Sequence, residues 1–101
     1  MSPLPLDGVR VVDFTQVMLG PCCTQMLADY GADVIKVERA KAGDLSRWSV
    51  GEDPDGLNNP VFSSLNRNKR SLALDLRQDE QKAVVRRLLE RADVVVNNFR
   101  P

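Results

Sequence analysis

Histidine is absent from this chain of 101 residues, and there are only two cysteines, one tryptophan and one tyrosine. Without histidine, any proton transfer or nucleophilic step within the chain falls to carboxylates, lysine, tyrosine or cysteine. Cys22 and Cys23 are adjacent and have no partner cluster elsewhere, so no metal site is expected. They read as reduced thiols, which points to the cytoplasm. Excess charge is also missing: 14 Lys and Arg balance 14 Asp and Glu. A neutral chain gives no reason to expect nucleic acid or an acidic membrane surface as partner. Neither a basic, apolar leader nor a run near the ~20 apolar residues of a spanning helix is visible.

What is present suffices for a core, since 43% of residues are apolar. Residues 9–14 read as a buried strand, 15–20 as a turn, and Pro21 as the first residue of a helix. In that helix Cys23, Met26, Leu27 and Tyr30 recur at helical spacing and form the expected apolar face. Gly31 supplies the left-handed stop, and 33–38 alternates into a second strand. Residues 40–60 form a long polar connection carrying Trp48, either a lid residue or an anchor. A short helix over 59–65, a third strand over 71–76 with Leu72, Leu74 and Leu76 on one side, and a helix over 79–92 follow. Val84, Val85, Leu88, Leu89 and Ala92 make the stripe of that last helix. A fourth strand over 93–97 has Val94-Val95-Val96 as its buried run. The order predicts an α/β fold, a parallel sheet with helices on its faces. The chain ends at Asn98-Phe99-Arg100-Pro101, directly after a strand, and is expected to be one incomplete segment (1–101) of a longer domain.

Ligands of open α/β sheets bind beyond the carboxyl ends of the strands, and four groups are expected along that edge. The loop 15–20 leads into a helix N-terminus, where free N–H groups favour an anion. It lacks the Gly-x-Gly-x-x-Gly of a dinucleotide site, so an ordinary turn is the alternative. Arg39 follows the second strand and either contacts a phosphate or base or pairs with Glu38 or Asp44. Asn66-Arg67-Asn68-Lys69-Arg70 is either a polyphosphate site or a solvated face. Asn97-Asn98-Phe99-Arg100 suits an adenine or a pantetheine arm, or is a strand-end turn. Cys22 and Cys23 read as buried structural thiols, with an activated thiolate at the helix start as the alternative.

Six stretches in order carry a resemblance. They are Leu6-Asp7-Gly8-Val9-Arg10-Val11-Val12-Asp13-Phe14, then Gly20-Pro21, then Leu27 through Glu38, Gly43-Asp44, Asn66 through Leu76, and Ala92 through Pro101. With them the chain resembles the amino-terminal part of the family III CoA-transferases (CaiB/BaiF type), which include formyl-CoA transferase and α-methylacyl-CoA racemase. The resemblance implies a Rossmann-like large domain in a longer protein that forms an interlocked homodimer. It implies transfer of CoA between carboxylic acids through anhydride and thioester intermediates on an aspartate. That aspartate lies beyond Pro101, so no catalytic residue is assigned here and the 101-residue chain alone is expected to be inactive. The substrates implied are a CoA thioester and a carboxylic acid, with no metal. The resemblance further implies CoA contacts at Val17, Met18, Arg39, Leu74, Asp75, Leu76, Arg77, Asn98, Phe99 and Arg100, with Arg39 near the adenosine phosphate end. The resemblance thus moves the third group from the basic run to the residues after the strand. Formyl-CoA transferase has a Gln at the position of Met18, which orients the acyl group. Methionine has no donor to replace it, so a different acyl substrate is expected. The Asn-Arg-Asn-Lys-Arg group is more like the transferases than the racemases. A racemase-like fragment and a non-catalytic α/β module are the alternatives.

Overall fold

The structure is a computed structural model that describes residues 3–48 and 59–101. Four strands form one sheet: β1 (Arg10–Asp13), β2 (Asp33–Arg39), β3 (Lys69–Leu74) and β4 (Val94–Val96). All pairings are parallel and the spatial order is β3-β2-β1-β4. Helix α1 (Leu19–Asp29) joins β1 to β2, and α3 (Asp79–Arg91) joins β3 to β4. Between β2 and β3 lie a 3₁₀ turn (Leu45–Trp48) and the short helix α2 (Pro60–Leu65). The Asn59 side chain caps α2 by accepting from Val61 N–H, and Pro60 at its start needs no such bond. Gly51, Pro54 and Gly56 of the polar connection lie outside the described residues.

The two faces of the sheet have different interiors. On one, Val11, Val34, Ala28 and Ala32 form an apolar cluster with Leu27 beneath α1. On the other, Val12, Val37 and Leu74 pack against Val84, Val85, Leu88 and Ala92 of α3. The α3 stripe therefore packs as its periodicity predicts, apart from Leu89, which is exposed. Gly31 takes φ +105° after α1, as a helix-ending glycine should.

Several expectations need correction. Pro21 is the third residue of α1, not the first. The face α1 turns inward is Pro21, Thr24, Gln25 and Ala28, while Cys23, Met26 and Tyr30 are exposed. The spacing is equally helical and Ala28 and Leu27 do meet the apolar cluster, but the partners of Thr24 and Gln25 are polar. Thr24 Oγ1 donates to Asp13 at 2.6 Å and Gln25 Nε2 to the Ser64 carbonyl at 2.6 Å. Cys22 is only half-buried, so neither cysteine is a core residue. β3 begins two residues earlier than expected, which leaves Leu76 exposed beyond its end. Val94 and Val95 keep 40% and 48% of their surface exposed, because β4 is an edge strand among the described residues. Trp48 acts as an anchor, its indole N–H donating to the Ala42 carbonyl at 2.8 Å.

Candidate functional site

The order in which strands are added reverses between β1 and β4: β2 and β3 extend to one side of β1, and β4 to the other. Such a switch point opens a crevice at the carboxyl ends, because the loops leaving the two strands turn apart. Here those loops are residues 14–18 and 97–100. Phe14 N–H donates to the Val96 carbonyl at 2.9 Å, and the rings of Phe14 and Phe99 stack obliquely with centroids 6.5 Å apart.

Beside them is a cavity of about 530 Å³. Phe14, Val37, Leu74, Leu76 and Phe99 give it apolar walls. Arg39, Lys41, Asp75 and Arg77 supply charge at its edge. Arg77 and Asp75 are paired, Nε to Oδ1 at 3.0 Å. The Arg77 guanidinium holds the Asp75 carboxyl down to about 2. Glu38 is likewise engaged, with Arg47 Nε at 3.0 Å, and Asp44 with Lys36 Nζ at 2.7 Å. Both acids named in the alternative reading of Arg39 are thus occupied elsewhere. Arg39 is exposed and makes no ion pair among the described residues. Lys41 is a second exposed cation on the cavity, in a turn at φ +71°. Sequence reasoning passed over it because it sits in the polar connection.

Of the residues expected to bind, Arg39, Leu74, Asp75, Leu76, Arg77 and Phe99 line this cavity. Val17, Met18, Asn98 and Arg100 do not. Asn98 is turned to the loop instead: its Oδ1 accepts from Gln16 N–H at 3.0 Å, and its Nδ2 donates to the Gln16 carbonyl at 2.9 Å. Gln16 itself lines the cavity. The amide of Asn98 thus reaches the cavity only through the residue it holds.

The basic run is not part of this edge. Arg67 pairs with Asp29 at 2.8 Å and Arg70 with Asp33 at 2.7 Å, at the end of α1 and the start of β2. Both acids lie at the amino end of the sheet, so three of the four expected groups converge and this one does not. Lys69 is different again. Its ammonium is buried and meets Asp13 Oδ2 at 3.0 Å.

That contact belongs to a buried polar network that sequence reasoning missed. Asp13 accepts from Thr15 N–H at 2.8 Å, from Thr15 Oγ1, and from Thr24 Oγ1. Lys36 donates to the Thr15 carbonyl at 3.0 Å as well as to Asp44 Oδ2. Asp44 Oδ1 accepts from Val17 N–H, Ser46 N–H and Ser46 Oγ, each at 2.9 Å. Burial alone pushes the Asp44 carboxyl up, but the bonds from Lys36, Ser46 and Val17 outweigh it and hold it below the usual range. Gly20 packs here too: an added Cβ would fall 2.5 Å from Thr15 Cβ, so a side chain is excluded. The available signal was Lys36, a cation inside an otherwise apolar strand pattern.

A parallel sheet with helices on both faces, a partly apolar cavity at its carboxyl edge and cations there without an acid partner among the described residues is the architecture in which open α/β sheets hold ligands. The family model for CoA-transferase family III matches residues 6–101, and the chain belongs to that family. Formyl-CoA:oxalate CoA-transferase from Escherichia coli O6:H1 (strain CFT073) is 48% identical over 97 residues, covering 96% of this chain and 23% of the relative. The same values hold for formyl-CoA:oxalate CoA-transferase from Shigella boydii serotype 18. A CAIB/BAIF family protein from Brucella suis superposes with a TM-score of 0.87 at 42% identity, covering 97% of this chain and 26% of that one. A hypothetical protein (Rv3272) from Mycobacterium tuberculosis gives 0.84 at 42% identity, covering 99% and 27%. The chain therefore spans about a quarter of the length of these relatives.

Proposed function

We propose that this chain forms the CoA-holding crevice of an acyl-CoA:carboxylate CoA-transferase. In this reading CoA passes between carboxylic acids through an aspartyl anhydride and thioester, formed on a residue outside these 101. The chain is then the first segment of a family III domain that works as a homodimer. The observation that carries the reading is Arg39, a cation without an acid partner among the described residues, on a cavity with apolar walls. A CoA thioester matches that polarity, with phosphates for the cation and an adenine or pantetheine arm for the Phe14–Phe99 and Leu74 surface.

If Arg39 meets the nucleotide end, Arg39→Ala in the full-length enzyme weakens CoA affinity by roughly 1–3 kcal/mol, the range of a charge-assisted hydrogen bond. Calorimetry measures this directly, and an unchanged dissociation constant rejects the assignment.

The two relatives at 48% identity are formyl-CoA:oxalate CoA-transferases. Met18 argues that this protein takes another acyl group. Its side chain is exposed at the start of α1 and offers a thioether where formyl-CoA transferase presents an amide. An acyl group with carbon surface gains from that contact, and formyl does not. In the same calorimeter a thioester with an apolar acyl chain is therefore expected to bind more tightly than formyl-CoA. The reverse order removes the specificity argument.

A further inference from the structure

We propose that Asp44 and Asn98 are positioning residues, which clamp the main chain of residues 15–17 from two sides and so set where Val17 and Met18 stand beside the crevice. The inference rests on the function proposed above for that crevice.

Residues 15–17 lie beyond the strand ladder, yet five of their main-chain polar groups end on side chains. Thr15 N–H goes to Asp13, and the Thr15 carbonyl to Lys36. Both main-chain groups of Gln16 go to the Asn98 amide. Val17 N–H goes to Asp44 at 2.9 Å. These partners come from four separate stretches of sequence, so the loop's shape is imposed by the surrounding fold.

Val17 shows why such a clamp is needed. Its φ is +73°, a left-handed conformation that a β-branched residue adopts only where its surroundings over-determine it. The N–H fixed by Asp44 belongs to this residue. Asp44 is in turn saturated, with Lys36, Val17 and both Ser46 donors on its two oxygens. An asparagine in its place cannot serve both sides. With its oxygen toward Lys36 it turns an NH₂ on the Val17 N–H; turned the other way, it points that NH₂ at the ammonium.

The test compares Asp44→Asn, Asn98→Ala and Val11→Ala in the full-length protein. Val11→Ala is a stability control that loosens the core beneath α1 without touching the loop. Asp44→Asn should speed amide exchange at residues 15–18 by roughly tenfold or more, as expected for loss of a charge-assisted bond. It should raise KM for acyl-CoA by a similar factor while kcat changes by less than about threefold, the signature of lost ground-state binding. Val11→Ala should lower Tm and leave both untouched. Asn98 is at the surface, so Asn98→Ala folds even if the buried change does not, and it should expose Gln16 to exchange. The proposal is overturned if exchange at 15–18 is unchanged in both clamp variants, or if KM moves no further in Asp44→Asn than in Val11→Ala. A parent protein that binds no acyl-CoA would sink the crevice reading alone, because exchange still decides the clamp.

Discussion

Asp13→Ala is expected to lower the free energy of unfolding by about 3–5 kcal/mol, the cost of stranding one partner of a buried pair. Asp13 is fully buried at the carboxyl end of β1. Its carboxylate receives the Lys69 ammonium, the Thr24 hydroxyl and both the main chain and hydroxyl of Thr15. Without it, Lys69 keeps hydrogen bonds only to dipoles, the Pro21 carbonyl at 3.1 Å and Asn66 Oδ1 at 2.8 Å, with the Asp44 charge acting on it more weakly. Folded domains are stable by only about 5–15 kcal/mol, so this loss is a large share of the whole.

The effect also carries a pH signature. Burial already pushes the Lys69 ammonium below its ordinary pKa, with Asp13 working against that shift. In the variant the stronger opposing charge is gone and the folded-state value falls further. A group whose folded pKa is depressed gains stability as pH rises toward its unfolded value. The deficit of Asp13→Ala should therefore shrink between neutral pH and the ordinary lysine range near 10.4. Urea unfolding at the two ends of that window measures it. A loss below about 1 kcal/mol at neutral pH would mean that the pair is not the anchor its burial indicates.

Where an element's partners are apolar, its residues announce them. The α3 stripe and Gly31 carry the usual signatures, and those parts of the fold were legible. Helix α1 was misread because its inward face meets a carboxylate and a carbonyl. Thr24 and Gln25 are the correct residues for that environment, yet hydropathy ranks Cys23, Met26 and Tyr30 above them. The three valines of β4 read as a buried run, although among the described residues β4 is an edge strand and nothing completes that cover. The cavity edge was legible through topology, since Arg39 and Phe99 must follow parallel strands. What holds the loop was not. Val17 and Asp44 are 27 residues apart, Gln16 and Asn98 82 apart, and no local pattern marks such pairs. Only the placement of Lys36 and Asp13, charges inside buried strands, hinted that a polar layer had to exist.

The second large effect is expected from Lys36→Met, about 3–5 kcal/mol, because it leaves the Asp44 carboxylate buried without its cation. Replacing both members of a buried pair by apolar residues is often neutral, but here it should not be. Asp44 also accepts from Val17 N–H, Ser46 N–H and the Ser46 hydroxyl. In Lys36→Met/Asp44→Leu those donors lose their acceptor, at about 1–3 kcal/mol for each one left unsatisfied. The double variant should therefore stay at least about 2 kcal/mol below the parent. Acid separates the charge effect from packing. In the parent, the folded Asp44 carboxyl lies below the usual range near 3.9, so its contribution is present above that range and fades as pH falls through its folded value. Removing Lys36 takes away the largest influence holding that carboxyl down, so its folded value rises from the parent's. The variant thus loses less stability than the parent as the pH falls. The gap between them should be widest near neutrality and close in acid. A gap of constant size across that range would assign the loss to the buried lysine stem rather than to its charge.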